Sequence, residues 1–226
     1  MDRPLPSPIL VSALAGVAFA LLMLFGLASV DPIHEATDQE IVDWWASSSN
    51  RDNTVLSSMF LVAAIPCFLL FVAGLRARFA VAEGGPAAVT WFMSAMAVAF
   101  AAAVLAGLGA RGGVAHAVQF SDESLPGPDV LRALWHVWTF LFGVVAMAAA
   151  ALAVASASYL IIRTRAFGLW FGVVGVVVAV VTLAAAAAGM GPWASPLIQL
   201  WAVAGAVDLW RTRSVAAVGR LAPAPA

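Results

Sequence analysis

"ILVSALAGVAFALLMLFGLASV", residues 9–30, is the stretch whose reading decides the fold class. It runs 22 residues without a charge. A helix of that length rises about 33 Å, enough to cross a hydrocarbon core of roughly 30 Å. The run is continuous and rich in Ala, Leu and Val, with no period-2 alternation, so a helix is expected rather than a strand of a membrane barrel. Arg3 precedes it and small residues close it, as in a signal peptide. The apolar region of such a leader is only about 7–15 residues long, so the run is expected to be a retained first span.

Five further apolar runs follow, at about 55–75, 87–110, 130–162, 167–189 and 193–210. The reading is an all-α, polytopic integral membrane bundle of six transmembrane helices. It forms a single membrane domain over residues 1–226, with external loops at 31–54 and 111–129. Composition agrees: 63% of residues are hydrophobic, 10% are charged and the mean hydropathy is +0.99, whereas about a quarter of residues carry charge in ordinary globular chains. Pro66 predicts a kink in the second run. The fourth is longer than one hydrocarbon thickness, so its first turns are expected to stand above the membrane or tilt. Ahead of it "LPGPD" supplies a turn, with Asp129 as a candidate N-cap. The sixth is the shortest and carries Gln199 and Asp208. Cys67, the single cysteine, lies in an apolar run and is expected as a small buried hydrophobe.

Charge placement gives an orientation. All eleven basic residues are arginine. With the N- and C-termini cytoplasmic, the inner segments hold Arg3, Arg76, Arg78, Arg163, Arg165, Arg211, Arg213 and Arg220, and the outer ones only Arg51, Arg111 and Arg132. Eight against three is a positive-inside bias. Each returning helix ends in Arg-x-Arg, so the pairs Arg76/Arg78, Arg163/Arg165 and Arg211/Arg213 are expected as anchors at the inner headgroups. The predicted location is the cytoplasmic (inner) membrane of a bacterium.

Six of the twelve carboxylates fall between Asp31 and Asp52, in the first external loop. Within it "TDQE", residues 37–40, is a capping-box pattern that predicts a short helix. Ile41, Trp44 and Trp45 would share one side of that helix and rest on the membrane interface or on neighbouring helices. Trp135 and Trp138 are further candidate interfacial anchors.

Polar residues inside spans are where chemistry is sought, since each is costly unless paired. No charge lies near the middle of any run, which counts against a proton-coupled pump. Asp208 is expected in a local ion pair with Arg211 or Arg213. In the outer halves, Ser57, Ser58, His136, Thr139, Thr182 and Gln199, with His116 just above, are candidate lining residues of a pocket open to the exterior. The plain alternative is that they bond to backbone carbonyls or pair helices. His136, between Trp135 and Trp138, is an interfacial side chain or, with His116, or with His34 and the acids of the first external loop, a metal or haem ligand. Three scattered histidines show no ligand spacing, so no metal site and no cofactor are assigned. Nucleotide-binding loops, the dinucleotide glycine fingerprint and the serine-hydrolase elbow are absent, no catalytic residue is identifiable, and nothing points to nucleic acid. Gly168, Gly172 and Gly175 have the spacing of close helix packing, within the bundle or between subunits.

"FVAGLRARFAVAEGGPAAVTWF" (71–92) and "PDVLRALWHVWTFLFG" (128–143) resemble a loosely defined family of small bacterial multi-pass membrane proteins of unknown function, on the strength of Gly74, Leu75, Arg76, Arg78, Glu83 and Gly84. The resemblance implies a helical membrane protein and no activity. Read by itself, Glu83 sits in a turn where its acid can pair with Arg76 or Arg78. The expected partners are the lipid bilayer and a second copy or another membrane protein. Three functions stay open: binding of a small ligand or partner at an exterior pocket, solute transport, and haem or metal redox chemistry.

Overall fold

The structure is a computed structural model that describes residues 7–28, 36–121 and 123–219, with side chains through Arg211. The described residues are helical almost throughout. The helices are α1 (Pro8–Gly26), α2 (Asp38–Ala46), α3 (Ser48–Glu83), α4 (Ala88–Phe120), α5 (Pro128–Phe140), α6 (Met147–Thr164), α7 (Leu169–Ala187) and α8 (Gly191–Gly219). A six-residue π segment, Leu141–Ala146, joins α5 to α6, so the two make one rod of 37 residues. Five rods are long and apolar enough to cross a membrane: α1, α3, α4, the α5–α6 rod and α7. The chain is therefore a multi-pass membrane protein in contact with lipid.

Several rods outrun the apolar runs that predict them. α3 begins at Ser48 rather than near 55 and ends at Glu83 rather than near 75. α4 continues through residues 111–120, so the loop expected from 111 to 129 shrinks to the stretch after Phe120. α1 stops at Gly26, short of the expected end near 30; residues 29 and 30 lie outside the described residues. Hydropathy finds the part of a helix that fits the hydrocarbon, and α3 and α4, at about 54 and 50 Å, are far longer than that.

The long helices close into a ring, α1–α3–α4–α6–α7–α8 and back to α1. α2, the start of α3, the ends of α4 and α7 and the loop before α5 lie at one end, called here the cap end. The α3–α4 and α6–α7 turns lie at the other, the arginine end. Aromatic rings fill the middle. Phe68 lies 4.8 Å from both Phe19 and Phe100, centroid to centroid, and Trp201 lies 5.3 Å from Phe171 and 5.9 Å from Phe71, all of them buried. Gly16 and Gly205 make the room: a Cβ at either would come within 2.8 Å of the Phe71 ring. Lipid tails are as apolar as these side chains, so the packing gains come from close contact and not from burial against water.

Each turn at the arginine end is held by a carboxylate. Glu83 accepts from the backbone N–H of Val89 and Thr90, both at 3.0 Å, and from the Thr90 hydroxyl at 2.7 Å. It caps the N-terminus of α4, whose free amides attract an anion. That local use replaces the expected pairing with Arg76 or Arg78. Arg76 lies instead over the Trp91 ring at 4.1 Å and Arg78 over Phe167 at 5.2 Å. Asp208 of α8 is buried and accepts from the N–H of Gly168, the residue that opens α7, at 3.1 Å. It thus reaches across to the α6–α7 turn, a role beyond the local ion pair expected on its own helix.

Candidate binding site at the cap end

Thr37 and Glu40 form the expected capping box. The Thr37 N–H donates to Glu40 Oε2 at 2.7 Å, and the Glu40 N–H donates to Thr37 Oγ1 at 3.4 Å. The carboxyl of Glu40 is held below its ordinary range, first by the Thr37 backbone N–H and then by the Thr37 hydroxyl. α2 presents Ile41 and Trp45 to the protein, where they pack with Ala115 of α4 and Leu131 of α5 in a small core of their own. Of the two expected resting places for this face, the neighbouring helices are the one used.

Polar contacts then tie α2 down. Arg51 donates to the carbonyls of Trp45 (2.7 Å) and Ala46 (2.8 Å), and Asn50 to that of Trp44 (3.0 Å), so the free carbonyls ending α2 are capped by the next helix. Arg51 also donates to Gln119 of α4 at 3.3 Å, and Gln119 to Asp52 at 2.9 Å. Arg132 of α5 pairs with Asp38 at 2.7 Å. This network explains why α4 stays helical past residue 110: the polar turns there have partners. A third cation of this end is buried. Arg111 is 5% exposed, with its guanidinium 5.4 Å from the centre of the Trp138 ring. Sequence reasoning left it in a loop; its only signal is a lone charge in a glycine-rich run.

Between the end of α4 and the following loop lies a cavity of about 250 Å³, open on one side. Gly109, Gly113 and Ala117 of α4 form its floor, Leu134 of α5 one wall, and Glu123, Ser124 and Pro126 its mouth. A Cβ at Gly109 or Gly113 would touch nothing within 4 Å, so the glycines themselves create the space. An apolar floor with one exposed carboxylate at the rim suits an amphipathic molecule whose head is cationic or donates hydrogen bonds.

None of the seven residues expected to line a pocket lines this one. Ser57 is buried and donates to the Thr54 carbonyl of its own helix at 3.0 Å. The Ser58 hydroxyl faces Gly112, and it and the fully buried Thr182 hydroxyl make no hydrogen bond. His116 is exposed, its ring 4.9 Å from that of Phe120, and His136 is exposed, 5.4 Å from the ring of Trp135. Thr139 is half-buried and Gln199 is buried on α8. His34 lies outside the described residues. Among the described residues no three of His, Cys, Asp and Glu converge.

Of the anchors, Trp45 and Trp138 are buried, Trp138 stacking on Phe142 at 4.8 Å, while Trp44 and Trp135 are half-buried. Arg76, Arg163, Arg165 and Arg211 are exposed and Arg78 is half-buried. The Arg213 side chain lies outside the described residues.

Comparison with known protein families, curated proteins and solved structures finds no match for this chain. The family likeness seen at 71–92 and 128–143 therefore gains no support.

Proposed function

We propose that the chain is a six-span protein of the bacterial cytoplasmic membrane, both ends inside, that binds a small amphipathic ligand or a partner's side chain at the cap end. The observation that carries this reading is the open cavity of about 250 Å³ over Gly109 and Gly113, with Glu123 at its mouth. Leu125 of the loop packs against the Ile41 and Trp45 core of the cap, and Glu123 favours a cationic head at the cavity. Transport is the weaker reading, because buried rings from Phe19 to Trp201 fill the middle, and the buried hydroxyls of Ser156 and Ser158 on the way to the arginine end donate to carbonyls of their own helix.

The sixth span is supported by where α8 touches its neighbours. Pro192 meets Gly143 at the cap end, Ala206 meets the Gly16 position in the middle, and Leu209 lies 3.8 Å from the Gly74 position near the arginine end. From Pro192 to Leu209, α8 rises about 26 Å along these neighbours, close to the roughly 30 Å of a hydrocarbon core.

The test is extraction of small molecules from the protein purified in native-lipid discs, with Gly113→Phe as the filled variant. A species retained by the wild type and lost from the variant is expected on mass spectrometry. Identical profiles would remove the cavity as a ligand site.

A further inference from the structure

A second concavity lies at the arginine end, on the outside of the ring, where α1 and α8 run side by side. Its volume is about 210 Å³. Ala13 and Ala206 form the floor, Leu14 and Val17 one wall, and Trp210 and Arg211 close one end. Leu14 and Trp210 are more than half exposed, so the groove faces sideways out of the bundle. In a membrane protein that surface meets acyl chains.

The depth of the groove can be placed. Ser12 and Leu209 both border Gly74, so they lie at one level. Arg211, two residues further on, is then level with the first turn of α1, and the apolar part runs from there to Val17, roughly 13 Å above Pro8. An acyl chain lying along it would bring its headgroup to Arg211, beside an indole of the kind found at headgroup depth.

Charge specifies the headgroup. Among the described residues, Arg76, Arg78, Arg163, Arg165 and Arg211 gather at this end, against two carboxylates, Glu83 and Asp208. Both acids also accept from amides, of α4 and of Gly168, and with their charges counted in full the five arginines still leave an excess of positive charge at this end. A guanidinium carries five donors, so a contact within the protein leaves Arg211 others for a phosphate.

We propose that this α1–α8 groove binds an anionic phospholipid, its acyl chain over Ala13 and Ala206 and its phosphate on Arg211. The site requires α8 to lie at membrane depth, as the six-span reading has it. It requires neither that reading's orientation nor the cap cavity.

The experiment reconstitutes the protein in phosphatidylcholine vesicles containing dibrominated phosphatidylglycerol or dibrominated phosphatidylcholine, and follows tryptophan quenching. Subtracting the Trp210→Phe signal isolates Trp210. Half-quenching of Trp210 is expected at about fivefold lower mole fraction of the anionic lipid, the factor of one interfacial arginine. Arg211→Gln should bring the two lipids to the same mole fraction. Both side chains are exposed, so neither substitution opens the core. Equal quenching in the wild type, or a preference that survives Arg211→Gln, overturns the site. No quenching of Trp210 by either lipid would instead overturn the sixth span. Inorganic phosphate should leave the preference unchanged; its loss on adding phosphate would mean a free-anion site and not a lipid one.

Discussion

Backbone geometry at single residues sets sharp expectations. Arg165 ends α6 in the left-handed region, at φ 56°, donating its N–H to the Ile161 carbonyl at 2.9 Å. That conformation costs a side-chain-bearing residue about 1–2 kcal/mol, which is why glycine is usual there. Arg165→Gly should therefore stabilise the protein by about 1 kcal/mol in thermal unfolding, while removing one positive charge from the arginine end. Gly191 is the opposite case. A Cβ there would fall on the carbonyl oxygen of Gly143, backbone against backbone, so no rotamer change relieves it. Gly191→Ala should cost at least about 2 kcal/mol. Gly113→Ala, with open space around it, should be neutral or stabilising by up to about 1 kcal/mol. Arg165 and Gly113 were legible only as an anchor and a small residue, because a left-handed φ and an empty neighbourhood are products of the fold and leave no local pattern.

The elements divide by how local their causes are. α2 was readable from four residues, since a capping box is a contact between neighbours in sequence. Its acid makes it pH-dependent: Glu40 titrates below its ordinary value in the folded helix, so its contribution is fully present above the unfolded carboxyl range. That contribution is lost as pH falls through the lower folded value. Amide exchange in α2 should accelerate across that acidic window, and Thr37→Ala, which removes the cap, should speed it already at neutral pH by about tenfold. The extension of α4 past residue 110 was not readable, because Arg51 and Asp52 hold Gln119 from nearly seventy residues away in the chain. The inward faces were hidden for another reason. Helices apolar on all sides give no periodic signal, so nothing in the sequence says which of Ser57, Thr139 or Thr182 points inward. Asp208 is the element-scale contact most exposed to test. Asp208→Ala strips the acceptor from the N–H of Gly168 and should cost about 2 kcal/mol, with faster exchange of the Gly168 amide. Asp208→Asn keeps an acceptor oxygen and should cost less.

At the scale of the molecule, the apolar runs alone specified an all-helical membrane protein, because hydropathy reports the solvent a segment needs. They could not specify the ring, which depends on where Phe71, Phe171 and Trp201 meet. α8 decides the topology. It supplies Trp201 to the central stack and lies between α1 and α7, so a ring without it would open the edges of Phe71 and Phe171 to lipid. The six crossings proposed above would put α2 and the α4–α5 loop outside and all the Arg-x-Arg ends inside. Cysteines placed in a Cys67→Ser background test this with a maleimide that cannot cross the membrane. Ser47→Cys and Ser124→Cys should label in intact cells, and Gly85→Cys and Ser214→Cys only after lysis. Labelling of position 214 but not 85 in intact cells would mean that α8 does not cross. Labelling of position 85 but not 124 would invert the whole ring, turning the cap cavity to the cytoplasm and the arginine end outward, against the charge bias that orients it.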